Sequence, residues 1–130
     1  DDALMAAALL CKLLAEDGRD INAVLAGYPQ YITSPEIKIP CPDEKKYDVV
    51  KLLTDNFLRL YGAGRVVSIN GARVKYPEYG GWSLVRASSN LPELVLIFEA
   101  GDNEGLNKIK QDMQKQLAKF NLPTKWENDV

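Results

Sequence analysis

The sequence predicts an α+β fold of one strand, a helix, four strands and a final helix, with both helices on one face of an antiparallel sheet. A short helical remnant of another domain precedes it. Three observations lead there. Tyr47, Val50, Leu53, Phe57 and Leu60 recur at spacings of three and four, and so do Leu106, Ile109, Met113, Leu117 and Phe120. Between these two stripes lie strand-like runs: Val74 and Tyr76 alternate with Arg73 and Lys75, Trp82, Leu84 and Arg86 alternate with Ser83, Val85 and Ala87, and Leu94 to Phe98 is apolar throughout. Ahead of both, Ala3 to Ala15 is strongly helix-forming and apolar on nearly every side, with Lys12 its one charge.

The elements follow in order. Gly18 ends the first helix, and Asp20 caps a short second one through Ile21, Val24 and Leu25. Tyr28 to Pro35 is a proline-punctuated connector, so residues 1–34 read as the tail of a preceding domain and 35–130 as a second domain. In that second domain Ile37 and Ile39 alternate as a short strand, and Asp43 caps the helix that carries the Tyr47–Leu60 stripe. Arg65 to Ile69 reads as a strand that turns at Asn70-Gly71, a two-residue hairpin signal, into one with Val74 and Tyr76 facing inward. Two further strands follow, the last apolar on both faces from Leu94 to Phe98. Asp102 or Asn103 caps the final helix, Leu122-Pro123 stops it, and a loose polar tail runs to Val130.

Composition removes several kinds of chemistry. The chain has 130 residues and no histidine, which excludes a Ser-His-Asp or Cys-His nucleophile and a His-ligated zinc within it. Sixteen basic residues against eighteen acidic ones give a net charge of −2, the wrong sign for a nucleic-acid binder. Cys11 and Cys41 stand alone, with no metal-cluster spacing and no disulfide framework, and Cys11 is expected as a buried thiol in its apolar helix. A reducing, cytoplasmic compartment suits them. The apolar run after Asp1-Asp2 lacks a basic flank and is too short to span a bilayer, so no membrane partner is expected. That acidic pair opens a helix, where the dipole favours carboxylates without any catalytic role.

One segment carries chemistry. In Arg86-Ala87-Ser88-Ser89-Asn90 an arginine ends a strand, and small hydrogen-bonding residues turn the chain toward Leu91-Pro92. A guanidinium can give a phosphate two parallel hydrogen bonds. Two hydroxyls, an amide and successive turn N–H groups add donors around an anion. By composition alone the same residues also make an ordinary hairpin loop. A regulatory α+β interaction domain without catalytic role is the alternative reading, and it would leave the loop indifferent to loss of Arg86.

The flanks of the loop decide between these. Gly81-Trp82-Ser83-Leu84-Val85-Arg86-Ala87-Ser88-Ser89-Asn90-Leu91-Pro92, followed by Leu94-Val95-Leu96-Ile97-Phe98-Glu99-Ala100, resembles the C-terminal region of the α-D-phosphohexomutases. The likeness is to the bacterial phosphomannomutase/phosphoglucomutase branch, where Gly-Trp-Gly-Leu-Val-Arg-Ala-Ser-Asn-Thr precedes a Pro-x-Leu-Val-Leu-x-Phe-Glu-Ala strand. It extends through Asn70-Gly71-Ala72-Arg73-Val74 and Ser34-Pro35-Glu36-Ile37 back to Asp1-Asp2. This sequence has Ser89-Asn90 where that branch has Asn-Thr, and both replacements can still donate hydrogen bonds.

The resemblance implies a four-domain enzyme around a cleft. The first domain carries a phosphoserine, the second binds Mg²⁺, the third reads the sugar and the fourth grips the substrate phosphate. It also implies a TATA-binding-protein-like fourth domain, in agreement with the order of elements above. No Ser-His, Asp-Gly-Asp-x-Asp or Gly-Glu-x-Ser-Gly signature occurs here, so the chain resembles the end of the third domain plus the whole fourth. Its partners would be a hexose phosphate and the other domains of the same polypeptide. Arg86, Ser88, Ser89 and Asn90 would hold the substrate phosphate, and the connector near Ser34-Pro35 would be a hinge.

Overall fold

The computed structural model describes residues 2–125, and the expected polar tail after Lys125 lies outside them. The chain divides into two compact units, Asp1–Gln30 and Tyr31–Val130. In the first, helix α1 spans Ala3–Asp17 and helix α2 spans Ile21–Leu25. Asp2 is the N-cap of α1, its carboxylate accepting the Met5 N–H at 2.8 Å, which is the structural role expected of an acid at that place. Asp20 caps α2 in the same way through the Asn22 N–H. No residue of α1 is buried, and Leu4, Leu9, Leu10 and Leu13 are all at least half exposed. Cys11 is exposed as well, contrary to expectation, and the buried thiol is Cys41.

The second unit is an antiparallel sheet with two helices. Its strands are β1 (Ile32–Thr33), β2 (Ile37–Pro40), β3 (Val66–Val67), β4 (Ala72–Tyr76), β5 (Gly81–Ala87) and β6 (Glu93–Ala100). Helix α3 (Asp43–Tyr61) links β2 to β3, and α4 (Asn103–Ala118) follows β6. The sheet order is β1-β6-β5-β4-β3, with β2 also on β6, so β1 and β2 form one edge strand interrupted at Ser34-Pro35. The sheet therefore begins earlier than the sequence suggests. Ser34 exchanges backbone and side-chain hydrogen bonds with Phe98, so the segment expected as a hinge is itself tied to β6.

The expected alternation is present in the strands. Ile37, Ile39, Val74, Tyr76, Val85, Leu94, Leu96 and Phe98 point to one face and are buried there with Leu53 and Phe57 of α3 and Ile109, Met113 and Leu117 of α4. Burying that apolar surface holds the layers together. Trp82, Leu84 and Arg86 occupy the opposite face, where Arg73 of β4 pairs with Leu84 and lies over the Trp82 ring.

Four local expectations are corrected. The helical stripe of α3 keeps the expected Val50, Leu53 and Phe57 but is completed by Lys46, while Tyr47 and Leu60 are exposed. Asp43 is the first helical residue rather than the cap; Pro42 takes the cap position and its carbonyl accepts the Lys45 and Lys46 N–H groups. Asn70-Gly71 is not a two-residue turn, because Val67 pairs with Arg73 and residues 68–72 lie between them. Gly71 adopts a φ of 95° and lies against β5, where a Cβ would stand 2.9 Å from the Cα of Arg86. At the far end α4 stops at Ala118, short of Leu122-Pro123, and Asp102 is its cap through the Gly105 N–H.

Candidate functional site

Arg86 is the penultimate residue of β5, and the strand's period puts its side chain on the helix-free face. Its cross-strand neighbour on β6 is Val95, itself flanked on β2 by Lys38. Val95 is 3% exposed, so the stem of Arg86 has an apolar floor to lie on. Arg86 as a residue is half-buried, and its guanidinium makes no hydrogen bond or ion pair among the described residues. Two carboxylates share the helix-free face: Glu93, two residues from Val95 and paired with Lys38 Nζ at 3.6 Å, and Glu99 at the other end, opposite Trp82. Four residues of strand, about 13 Å, separate that rung from Arg86. Glu99 is occupied there by the Trp82 indole N–H at 2.8 Å and the Thr33 hydroxyl at 3.3 Å.

The loop after β5 has a defined shape. The Ser88 N–H donates to the Glu93 carbonyl at 3.0 Å, and the Leu91 N–H donates to Ser88 Oγ at 3.2 Å. Leu91 O accepts twice, from the Glu93 N–H at 2.8 Å and from Lys46 Nζ at 3.0 Å. Pro92 O accepts the Cys41 N–H at 2.8 Å. These bonds consume the carbonyls of Leu91, Pro92 and Glu93. The N–H groups of Ser89 and Asn90 and the side chains of both residues have no partner among the described residues. Ser88 Oγ accepts from Leu91, which leaves its own proton to donate.

The structure thus brings Arg86, Ser88, Ser89 and Asn90 together at one end of the sheet, with the Arg86 guanidinium, the Ser88 hydroxyl proton and the donors of Ser89 and Asn90 unspent. The arrangement suits an anion: one unpaired guanidinium with several neutral donors, while the nearby Glu93 carboxylate is paired with Lys38. A metal finds no comparable arrangement, since no group of three His, Cys, Asp or Glu side chains is disposed to hold one among the described residues. No helix among the described residues is long and apolar enough to cross a membrane.

The pattern of the phosphoglucomutase/phosphomannomutase C-terminal domain matches residues 36–116, a span that runs from β2 into α4 and includes the whole loop. The chain belongs to that family. It is 38% identical over 117 residues to the phosphomannomutase/phosphoglucomutase of Pseudomonas aeruginosa, covering 90% of this chain and 24% of that protein. To the phosphoglucomutase of Neisseria meningitidis serogroup B it is 34% identical over 127 residues, covering 97% of this chain and 26% of the relative. Among solved structures it resembles a phosphoglucomutase/phosphomannomutase family protein from Burkholderia thailandensis. That match has a TM-score of 0.60 at 32% identity and covers 78% of this chain and 21% of the other. The chain thus spans about a quarter of the length of these curated relatives.

Within this family domain two residues that shape the loop escape a reading of the sequence. Lys46 is 3% exposed and reaches Leu91 from α3, yet as a lysine it reads as part of a solvated face. Its place in the 46-50-53-57 spacing is the available signal. Gly71 reads as a turn glycine, whereas its closest neighbours are backbone atoms of β5.

Proposed function

We propose that this chain is the substrate-phosphate-binding, C-terminal part of a phosphohexomutase. The whole enzyme interconverts hexose 1-phosphate and hexose 6-phosphate through a phosphoserine and a bisphosphorylated sugar, making it an intramolecular phosphotransferase. Residues 1–34 belong to the end of its sugar-binding domain, and the phosphoserine and Mg²⁺ site lie elsewhere in the polypeptide. The magnesium, when bound, neutralises charge on the phosphoryl group in flight.

The work of this part is orientation. The bisphosphorylated sugar must present first one phosphate and then the other to the same serine, so the non-reacting phosphate needs one fixed seat. Arg86 supplies the charge and the bidentate donor of that seat, and Ser88, Ser89 and Asn90 supply hydrogen bonds. The observation that carries this reading is the half-buried Arg86, its guanidinium unpaired among the described residues, beside a loop whose outward donors are unspent. Family membership supports it, because the matched span includes the whole loop.

The test is a titration of the chain with glucose 1-phosphate, followed by backbone amide shifts. Perturbations are expected to centre on residues 86–90, with a dissociation constant on the order of 1 mM, and inorganic phosphate is expected to give much the same pattern. Arg86→Ala is expected to abolish them without lowering the thermal midpoint. The chain alone is expected to show no mutase activity. Shifts clustered elsewhere, or an Arg86→Ala variant that still binds, would overturn the assignment and favour an interaction domain without catalytic role.

A further inference from the structure

We infer that Lys46 is a positioning residue for the phosphate loop, an inference that rests on the function proposed above. A lysine is almost never buried without partners, because its charge loses hydration there. Lys46, in the first turn of α3, is 3% exposed and has two oxygen partners, Asp43 Oδ1 at 2.6 Å and Leu91 O at 3.0 Å, besides the face of the Tyr47 ring 5.3 Å away. Asp43 is an exposed surface carboxylate, 65% accessible, that compensates the ammonium locally. Leu91 O belongs to the loop. The bond spans 45 residues of sequence and fastens α3 to the segment that turns β5 into β6.

The choice of atom matters. The peptide between Leu91 and Pro92 has no N–H, so its carbonyl is its sole polar group. An anion seated among the N–H groups of Ser89 and Asn90 is repelled by any carbonyl oxygen that swings toward it. Lys46 and the Glu93 N–H hold Leu91 O from two sides. With Pro92 O on Cys41 and Glu93 O on Ser88, every carbonyl of the closing half of the loop is committed to the protein. Lys46 is the one side chain in that set and the one formal charge. It touches no substrate in this reading; it fixes which way the loop's dipoles point.

The experiment compares phosphate affinity with stability in three chains, using inorganic phosphate and amide shifts at residues 86–90. Lys46→Met keeps the stem and removes the donor. It is expected to weaken phosphate binding about tenfold, since small displacements of a positioned donor set are costly. Tyr76→Phe removes a hydrogen bond from a separate cluster on α4 and serves as the stability control. It is expected to lower the thermal midpoint and leave the affinity within about twofold of the unaltered chain. If Lys46→Met also stays within twofold, Lys46 is a stabilising residue only and the inference fails while the proposed function stands. If the unaltered chain shows no shifts at residues 86–90, both fail together. Should Lys46→Met not fold, the Lys46 ammonium signal of the unaltered chain decides. It is expected to move with the same dissociation constant as the loop amides, and a signal that phosphate leaves in place overturns the inference.

Discussion

Two polar clusters of the second unit use similar groups to opposite ends. Between α3, β4 and α4, the hydroxyls of Tyr61 and Tyr76 both donate to Asp112 Oδ2, at 2.7 and 2.6 Å. Gln116 Nε2 reaches Asp112 Oδ1, and Gln116 Oε1 accepts from Asn56 and Lys119. Almost every group there is committed to another. At the loop after β5 the carbonyls are committed and the donors are not: Arg86, Ser89 and Asn90 are without partners among the described residues. A saturated network spends its hydrogen bonds on the fold, whereas unspent donors beside a fixed charge are free for a ligand. Substitutions in the first are expected to change stability and those in the second affinity.

Gly71 is the position where that separation is expected to break, and its substitution should have a larger effect than any in either cluster. Its φ of 95° is costly for any residue with a Cβ, and the added atom would meet the backbone of Val85 and Arg86. Gly71→Ala is expected to cost about 3 kcal/mol of stability from the strained backbone and the forced shift of β5. Because the displaced atoms carry Arg86, phosphate affinity is expected to fall more than tenfold as well. Chemical denaturation and the phosphate titration measure the two effects. A stability loss with unchanged affinity would mean that the loop is not referenced to this contact.

The tyrosine cluster sharpens the comparison from the other side. Tyr76→Phe leaves the ring in the core and removes one hydrogen bond to a carboxylate, worth about 2 kcal/mol. Its pH dependence has a definite sign. Burial first, then the hydrogen bond to Asp112 and the charge of that carboxylate, push the Tyr76 phenol above its ordinary 10.0, and burial and Asp112 push Tyr61 the same way. Below that ordinary value both phenols are protonated in the folded and the unfolded chain, and their contribution is constant. Above it the unfolded chain releases protons that the folded chain keeps, so stability falls as pH rises. Thermal unfolding followed from pH 8 to 11 is expected to show this decline, shallower in Tyr76→Phe. Equal slopes in the two chains would show that the Tyr76 phenol is not a source of it.

Much of this is legible in the sequence, for physical reasons. The alternation of β4 is legible because one of its faces is buried and a slip of one residue would expose it, and β6 is legible as a short apolar run because both of its faces are covered at Leu94, Val95 and Leu96. Arg86, Ser88, Ser89 and Asn90 are legible because anion-binding donors lie close together in the chain, and the family's flanking residues mark the place. What escapes depends on distant partners. Lys46 meets Leu91 across 45 residues, and Gly71 meets a neighbouring strand rather than its own turn. Ile32 and Thr33 read as connector because a two-residue strand has no period to display; its pairing with β6 makes it a strand.

The smallest expected effects lie inside the loop, where the two adjacent serines differ in a way that tests the comparison most finely. Ser89 is exposed and its hydroxyl has no partner among the described residues, so Ser89→Ala removes nothing from the fold. It is expected to leave the thermal midpoint unchanged and to weaken phosphate binding about threefold, the worth of one modest hydrogen bond. Ser88 serves both ends at once, accepting the Leu91 N–H through the oxygen whose proton is left for the anion. Ser88→Ala is expected to lose a similar factor in affinity and about 1 kcal/mol of stability besides, because the Leu91 N–H loses its acceptor. The measured pair thus separates a donor that only waits for ligand from one that also shapes the seat. If Ser89→Ala costs stability, or Ser88→Ala costs none, the division between committed and unspent groups does not hold at the scale of a single hydroxyl.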